Sequence, residues 1–159
     1  MNGKHSEEPA ETSFDVSVKF VKIDPRAALP QYESEGASGM DLRAFINADI
    51  SIPPFGRTKI PTGLKVEIPE GYEGQVRPRS GLALNTGITV LNSPGTIDSD
   101  YRGDLEIILI NLSGREVTIK NGERIAQLVI SPVCRAIIKE TDFLSPSRRG
   151  SGGFGSTGV

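Results

Sequence analysis

Histidine and cysteine are almost missing from this chain, and tryptophan is missing altogether: one His, one Cys and no Trp in 159 residues. That scarcity excludes much chemistry. The single histidine, His5, sits in a polar N-terminal stretch, so a Ser-His-Asp or Cys-His centre would have to be built on it, and a Cys/His zinc site lacks ligands. Acid–base work near neutral pH therefore falls mainly to carboxylates. Any metal is expected to be a hard cation held by oxygen, much of it from substrate phosphates. Cys134, in Val133-Cys-Arg-Ala-Ile-Ile138, reads as a reduced strand residue rather than a nucleophile. No long apolar run and no secretory signal is present, which predicts a soluble, intracellular, cytoplasmic protein without membrane contact. A net charge of -2 calls for neither nucleic acid nor an anionic surface as partner.

What is present is alternation. The length suits one domain with a sizeable core. Residues 1–13 are polar and read as a disordered tail. Phe14, Val16, Val18 and Phe20 then face one way, as in a half-buried strand. Further strand patterns fall at Met40–Ile46, Leu64–Ile68, Ile88–Leu91, Leu105–Leu112, Val117–Ile119, Ile125–Ile130 and Val133–Ile138. Short strands with frequent Gly and Pro turns predict an all-β sandwich or barrel over 14–144. One short helix is expected, capped by Ser80 and ended by Gly87. Residues 145–159 have linker composition, broken by Phe154 and by Arg148-Arg149 ahead of a Gly/Ser/Thr row whose donors suit an anion.

Chemistry concentrates at Asn92-Ser-Pro-Gly-Thr-Ile-Asp-Ser-Asp-Tyr-Arg-Gly-Asp104, which enters the apolar run Leu105–Ile110. The pattern reads as a β-hairpin with a polar pocket at its tip. Four other segments share its character, Gly beside charged or hydroxyl residues between strands: Ala37–Arg43, Arg77–Gly81, Gly122–Leu128 and Arg149–Gly158. Each alone is weak, since Gly39 beside Asp41 also suits a turn and Arg124 a surface charge.

In that order and spacing the five segments resemble the five motifs of the homotrimeric dUTP pyrophosphatases (dUTPases), from about residue 14 to the C-terminus. The resemblance implies a jelly-roll-like β fold and hydrolysis of dUTP to dUMP and pyrophosphate, which limits uracil in DNA and supplies dUMP for thymidylate synthesis. It assigns Asp98 as the carboxylate that activates water against the α-phosphorus. It gives phosphate binding to Arg79, Ser80, Gly81 and Gln127, and uracil reading to Asn92 with the backbone of Gly95, Thr96 and Ile97. Tyr101 packs under the deoxyribose and excludes a 2′-hydroxyl. Asp41 holds water around a Mg²⁺ ligated by the phosphates. Phe154 stacks on uracil, and Arg149, Gly155, Ser156 and Thr157 grip the terminal phosphates. Three chains share each site, and a tail closes it. Asp100 is expected to be structural, paired with an arginine. A dCTP deaminase of the same fold, which needs a further acid–base carboxylate, and a nucleotide-responsive regulatory protein are the alternatives.

Overall fold

The computed structural model describes residues 15–153; Phe14 and the tail expected over 1–13 lie outside it. Ten strands and one helix follow in chain order: β1 Lys19–Lys22, β2 Met40–Arg43, β3 Ile50–Ile52, β4 Arg57–Glu67, β5 Tyr72–Arg77, α1 Ser80–Thr86, β6 Ile88–Val90, β7 Gly95–Ile97, β8 Asp104–Asn111, β9 Val117–Ile119 and β10 Arg124–Pro132. They form two four-stranded antiparallel sheets, β1-β4-β8-β6 and β2-β10-β5-β7, and a two-stranded β3-β9 ribbon. Leu42, Val76, Ile97 and Leu128 from one sheet and Ile60, Val66, Ile88, Ile107 and Leu109 from the other belong to one buried cluster. This is the expected jelly-roll-like sandwich. None of the described helices is long and apolar enough to cross a membrane.

Alternation explains the best-read strands. In β8, Leu105, Ile107, Leu109 and Asn111 are buried while Asp104 and Glu106 are exposed. Val16, Val18 and Phe20 are also the less exposed set in their stretch, although only Lys19–Lys22 is laddered. The turn after β1 is closed by Asp24, whose Oδ1 accepts from the Arg26 backbone N–H at 2.8 Å and from Nε at 3.0 Å. The Arg26 hydrogen bonds hold that carboxyl at about 2, below its ordinary 3.8. What it contributes to stability is thus complete above the ordinary value and lost as pH falls through the lower one.

Four strands escape the alternation rule, the first of them β3, only three residues long. β4 runs seven residues further back than expected, because Pro61 and Gly63 look like breakers; the register against β8 shifts between Pro61 and Lys65, and the bulge absorbs them. β5 carries Gly74 within its ladders to β10 and β7, where a Cβ would lie 2.7 Å from Ile68 Cδ1. β7 hides inside the Pro94-Gly95 turn. Conversely, the strand expected over Val133–Ile138 is absent: beyond Pro132 the chain leaves the sheet, and Ile137, Ile138, Phe143 and Leu144 are all more than 80% exposed. Cys134 is therefore an exposed thiol outside any strand. Ser80 is not the helix cap. Arg79 takes that position in an extended conformation with no side-chain cap bond, since its guanidinium is engaged elsewhere. Gly87 does end the helix, at φ 75.

Asn111 fastens one corner of the sandwich. Fully buried at the end of β8, it donates to Ile52 O (2.9 Å) and Arg115 O (2.7 Å), and its Oδ1 accepts from Ser113 N–H (2.9 Å) and Oγ (2.7 Å). Asn111→Leu keeps the branched heavy-atom shape, adds some volume, and strands the Ile52 and Arg115 carbonyls and the Ser113 N–H. We expect a loss of about 1–3 kcal/mol for such unpaired groups, read as a lower urea midpoint at unchanged slope.

Candidate functional site

Two polar clusters form on the β2-β10-β5-β7 sheet. The first arises from strand register. Gln127 on β10 stands between Asp41 on β2 and Arg77 on β5. Side chains alternate with period two, so Arg124 and Gln127, three residues apart, would face opposite ways in a regular strand. The β10–β2 register shifts between Arg124 and Ala126, pairing Arg124 with Arg43 while Gln127 pairs with Asp41. The extra residue turns Arg124 onto the face that carries Asp41 and Gln127.

Asp41 is the hub there. Its carboxylate is only 10% exposed; Oδ1 accepts from Arg79 Nε at 2.8 Å and Oδ2 from Arg124 NH1 at 3.2 Å. Arg124 NH1 also lies 3.3 Å from Glu33, and Arg43 NH2 3.7 Å from the same residue. Signs alternate along Arg79, Asp41, Arg124, Glu33 and Arg43, which leaves one net positive charge on the group. Gln127 Nε2 donates to Pro78 O at 2.9 Å, and its Oε1 would sit 2.5 Å from a Cβ at Gly39. Any side chain at 39 would thus displace the amide. Ser80 and Gly81 open α1 beside this cluster, both exposed.

The second cluster is a cavity of about 160 Å³ lined by Val76, Val90, Asn92, Gly95, Thr96, Ile97, Asp98, Tyr101 and the start of β8. Its walls belong to both sheets. β6 pairs with β8, whereas β7 leaves to pair with β5 through Val76↔Gly95 and Gln75↔Thr96. So 91–103 is not the simple hairpin expected; it is a long β6–β8 connection that crosses to the opposite sheet and returns, and the cavity lies in the crossing. Asp98 N-terminates a turn, its carbonyl accepting from Tyr101 N–H at 3.1 Å. Among the described residues its carboxylate makes no ion pair and accepts no hydrogen bond. Tyr101 is 43% exposed, not a core tyrosine, and its hydroxyl donates to Asp104 O at 2.9 Å. Asp100 makes no ion pair among the described residues; the nearby Arg102 instead donates to the carbonyls of Ser99 (2.7 Å) and Tyr101 (2.8 Å).

The structure thus brings together Asn92, Gly95, Thr96, Ile97, Asp98 and Tyr101 in one place, and Asp41, Arg79 and Gln127 in another. Arg79, Ser80, Gly81 and Gln127 do not line the cavity. Arg149 joins neither: its Nε donates to Gly152 O at 2.7 Å in a local turn. Phe154, Gly155, Ser156 and Thr157 lie outside the described residues. Sequence reasoning missed Arg124 and Gly39 as parts of the first cluster. A bulge cannot be read from one sequence, and Gly39 looked like a turn. No group of three or more Asp, Glu, His or Cys among the described residues is arranged to hold a cation. Asp41, with both oxygens already bonded to guanidinium groups, has only its remaining lone pairs to offer, which suits an ion's water rather than the ion.

The family model described as dUTPase matches residues 25–158. The chain is 58% identical over 133 residues to the deoxyuridine 5′-triphosphate nucleotidohydrolase of Rhizobium etli strain CIAT 652, covering 82% of this chain and 85% of that one. It is 56% identical over 138 residues to the protein of the same name from Hydrogenobaculum sp. strain Y04AAS1, covering 87% and 95%. Among solved structures it is similar to the dUTPase of Staphylococcus bacteriophage 80alpha with dUPNHPP, at TM-score 0.81 and 29% identity over 90% of this chain and 99% of that one.

The hub can be tested without reference to activity. Asp41→Asn replaces one acceptor oxygen by an NH₂ group facing an arginine and leaves Arg79 and Arg124 to repel each other. We expect a loss of about 1–3 kcal/mol, the worth of hydrogen bonds to charged groups. The loss should shrink in high salt, which screens the repulsion; urea melts at low and high ionic strength measure both.

Proposed function

The chain belongs to the dUTPase family and hydrolyses dUTP to dUMP and pyrophosphate, and from that premise we propose that the cavity in the β6–β8 crossing takes uracil and deoxyribose while the Asp41 cluster takes phosphate. The observation that carries the reading is Asp98, a carboxylate in the cavity with no partner of its own among the described residues. In a chain whose only histidine is His5, it is the group placed to accept a proton from water.

Each chemical step has an owner. Asn92 with the backbone at Gly95, Thr96 and Ile97 offers donors and acceptors to the uracil edge. Val76 and Val90, which line the cavity, flank its ring. Tyr101 lies under the sugar and excludes a 2′-hydroxyl. Asp98 takes a proton from water as the new oxygen–phosphorus bond forms at the α-phosphorus; the bond from the α-phosphorus to the oxygen bridging to the β-phosphorus breaks, and that oxygen leaves with the pyrophosphate. Arg79, held at the right angle by Asp41, faces the triphosphate with Ser80, Gly81 and Gln127. A Mg²⁺ on the phosphate oxygens would neutralise charge there, and Asp41 fits the role of acceptor for its water.

One chain does not enclose this substrate. The cavity of about 160 Å³ is well below the roughly 300–1,000 Å³ of a complete small-molecule site; a larger groove of about 780 Å³ meets it at Asp98 but runs off along residues 67–71 and Val133, and the Asp41 cluster lines neither. Meanwhile Ile137, Ile138 and Phe143 in residues 133–144 are each more than 80% exposed among the described residues. Both features support a homotrimer in which each site draws on more than one chain, closed by the arm 145–159 of another. In that closure Phe154 stacks on uracil and Arg149, Gly155, Ser156 and Thr157 hold the terminal phosphates. The single cysteine suits a reducing, cytoplasmic setting.

Three variants test the reading. Asp98→Asn should bind nucleotide yet lose about 10²–10⁴ in kcat, the usual worth of a positioned base; near-normal pyrophosphate release by the folded variant would remove Asp98 from that role. Phe154→Trp would carry the only indole of the chain. Its fluorescence should change strongly with a non-hydrolysable dUTP analogue and less with dUMP, and deletion of residues 147–159 should leave a folded oligomer with poor turnover. An indole indifferent to the analogue would make the arm a passive linker.

A further inference from the structure

We infer that Gly103 is a positioning residue for sugar discrimination: its missing side chain is the space into which the Tyr101 ring folds. The inference rests on the reading of Tyr101 as the surface that excludes a 2′-hydroxyl.

Three observations carry it. A Cβ built at Gly103 would lie 2.6 Å from Tyr101 Cζ and 2.9 Å from Cε2, and would also meet the hydroxyl oxygen, all closer than real Cβ contacts come. The ring is fixed in that place by its own hydroxyl, which donates to Asp104 O at 2.9 Å, one residue beyond. And the backbone at 103 does not itself need glycine. The glycines with positive φ are Gly63, Gly71, Gly87, Gly122 and Gly150, and Gly103 is not among them. An L side chain is therefore compatible with the main chain and incompatible with the ring.

The direction of the response follows. At Asp104 the start of β8 is laddered to β4 through Lys65↔Asp104, and a strand held in a sheet gives way less readily than a side chain. The contacted atoms are the far end of a side chain that turns about two bonds, so the ring moves and the fold stays. A displaced ring vacates the surface beneath the sugar, and the hydroxyl loses its acceptor. The three atoms nearest a Cβ at Gly103 all belong to Tyr101, so base reading at Thr96, Ile97 and Asp98 should survive.

The experiment compares kcat/KM for dUTP and UTP in four folded proteins: the unaltered chain, Gly103→Ala, Tyr101→Ala and the double variant. Tyr101→Ala should narrow the dUTP/UTP ratio, and Gly103→Ala should narrow it by about tenfold or more, the scale of one misplaced methyl group in a fitted pocket. In the double variant the alanine meets no ring, so its ratio should equal that of Tyr101→Ala alone. If Gly103→Ala keeps the original ratio while Tyr101→Ala loses it, the role of Gly103 is refuted and that of Tyr101 stands. If neither variant changes the ratio, the reading of Tyr101 falls and takes this one with it. Additive effects, or equal losses on both substrates, would mean that position 103 acts other than through the ring, and would overturn the inference. Should Gly103→Ala fail to fold, recovery of folding in the Tyr101→Ala background supports the collision, and failure in both backgrounds refutes it.

Discussion

Strand β8 has a partner on each edge, β4 on one side and β6 on the other, and its inward side chains fill the middle of the core. Its register is therefore fixed: a slip of one residue would drive Glu106 inward and Leu109 out. Both ends of the strand inherit this rigidity. At the first residue, the Asp104 carbonyl receives the Tyr101 hydroxyl; at the last, Asn111 reaches across to Ile52 and ties in the β3-β9 ribbon. The flexible-looking Asn92–Asp104 segment is thus hung between β6 and a strand that cannot shift. A loop gains in this way the positional accuracy that a binding surface needs.

The second sheet contributes charge geometry rather than rigidity. Asp41 lies nearly out of solvent between two guanidinium groups, so it neither floats free nor faces the cavity. A carboxylate in this setting orders arginines. The alternating chain from Arg79 to Arg43 keeps the local potential positive enough for an anion while preventing the arginines from spreading apart, which is what an unfilled row of like charges would do.

How much of this was legible from sequence follows from which physical cue each feature leaves. Alternation disclosed β8 and β9 almost to the residue, because half-buried strands must alternate. It failed at β3, which is only three residues long, and at β4, β5 and β7, where Pro61, Gly74 and Gly95 carry the marks of turns and yet lie in ladders, the first in a bulge and the second where Ile68 approaches closely. It also invented a strand after Val133: the apolar pattern is real, but the partner that would cover it is not in this chain's own sheet. The site was legible through ordered motifs, and the structure does gather Asn92, Asp98 and Tyr101. The tie of Arg124 to Asp41 was not, since only a one-residue register shift puts them on one face. The cap at Ser80 was misplaced because Arg79 spends its side chain on Asp41 and leaves the helix start open.

Cys134 stands two residues past the end of β10, exposed, where the chain turns from sheet into extended arm. It is the only sulfhydryl of the sequence. To a labelling chemist the molecule thus arrives with a single address, at the root of its most exposed segment, between Val133 and Arg135, which share a groove with Asp98. A dye or spin label attached there reports on the arm without competition from any other site, and the number of labels per particle counts the chains.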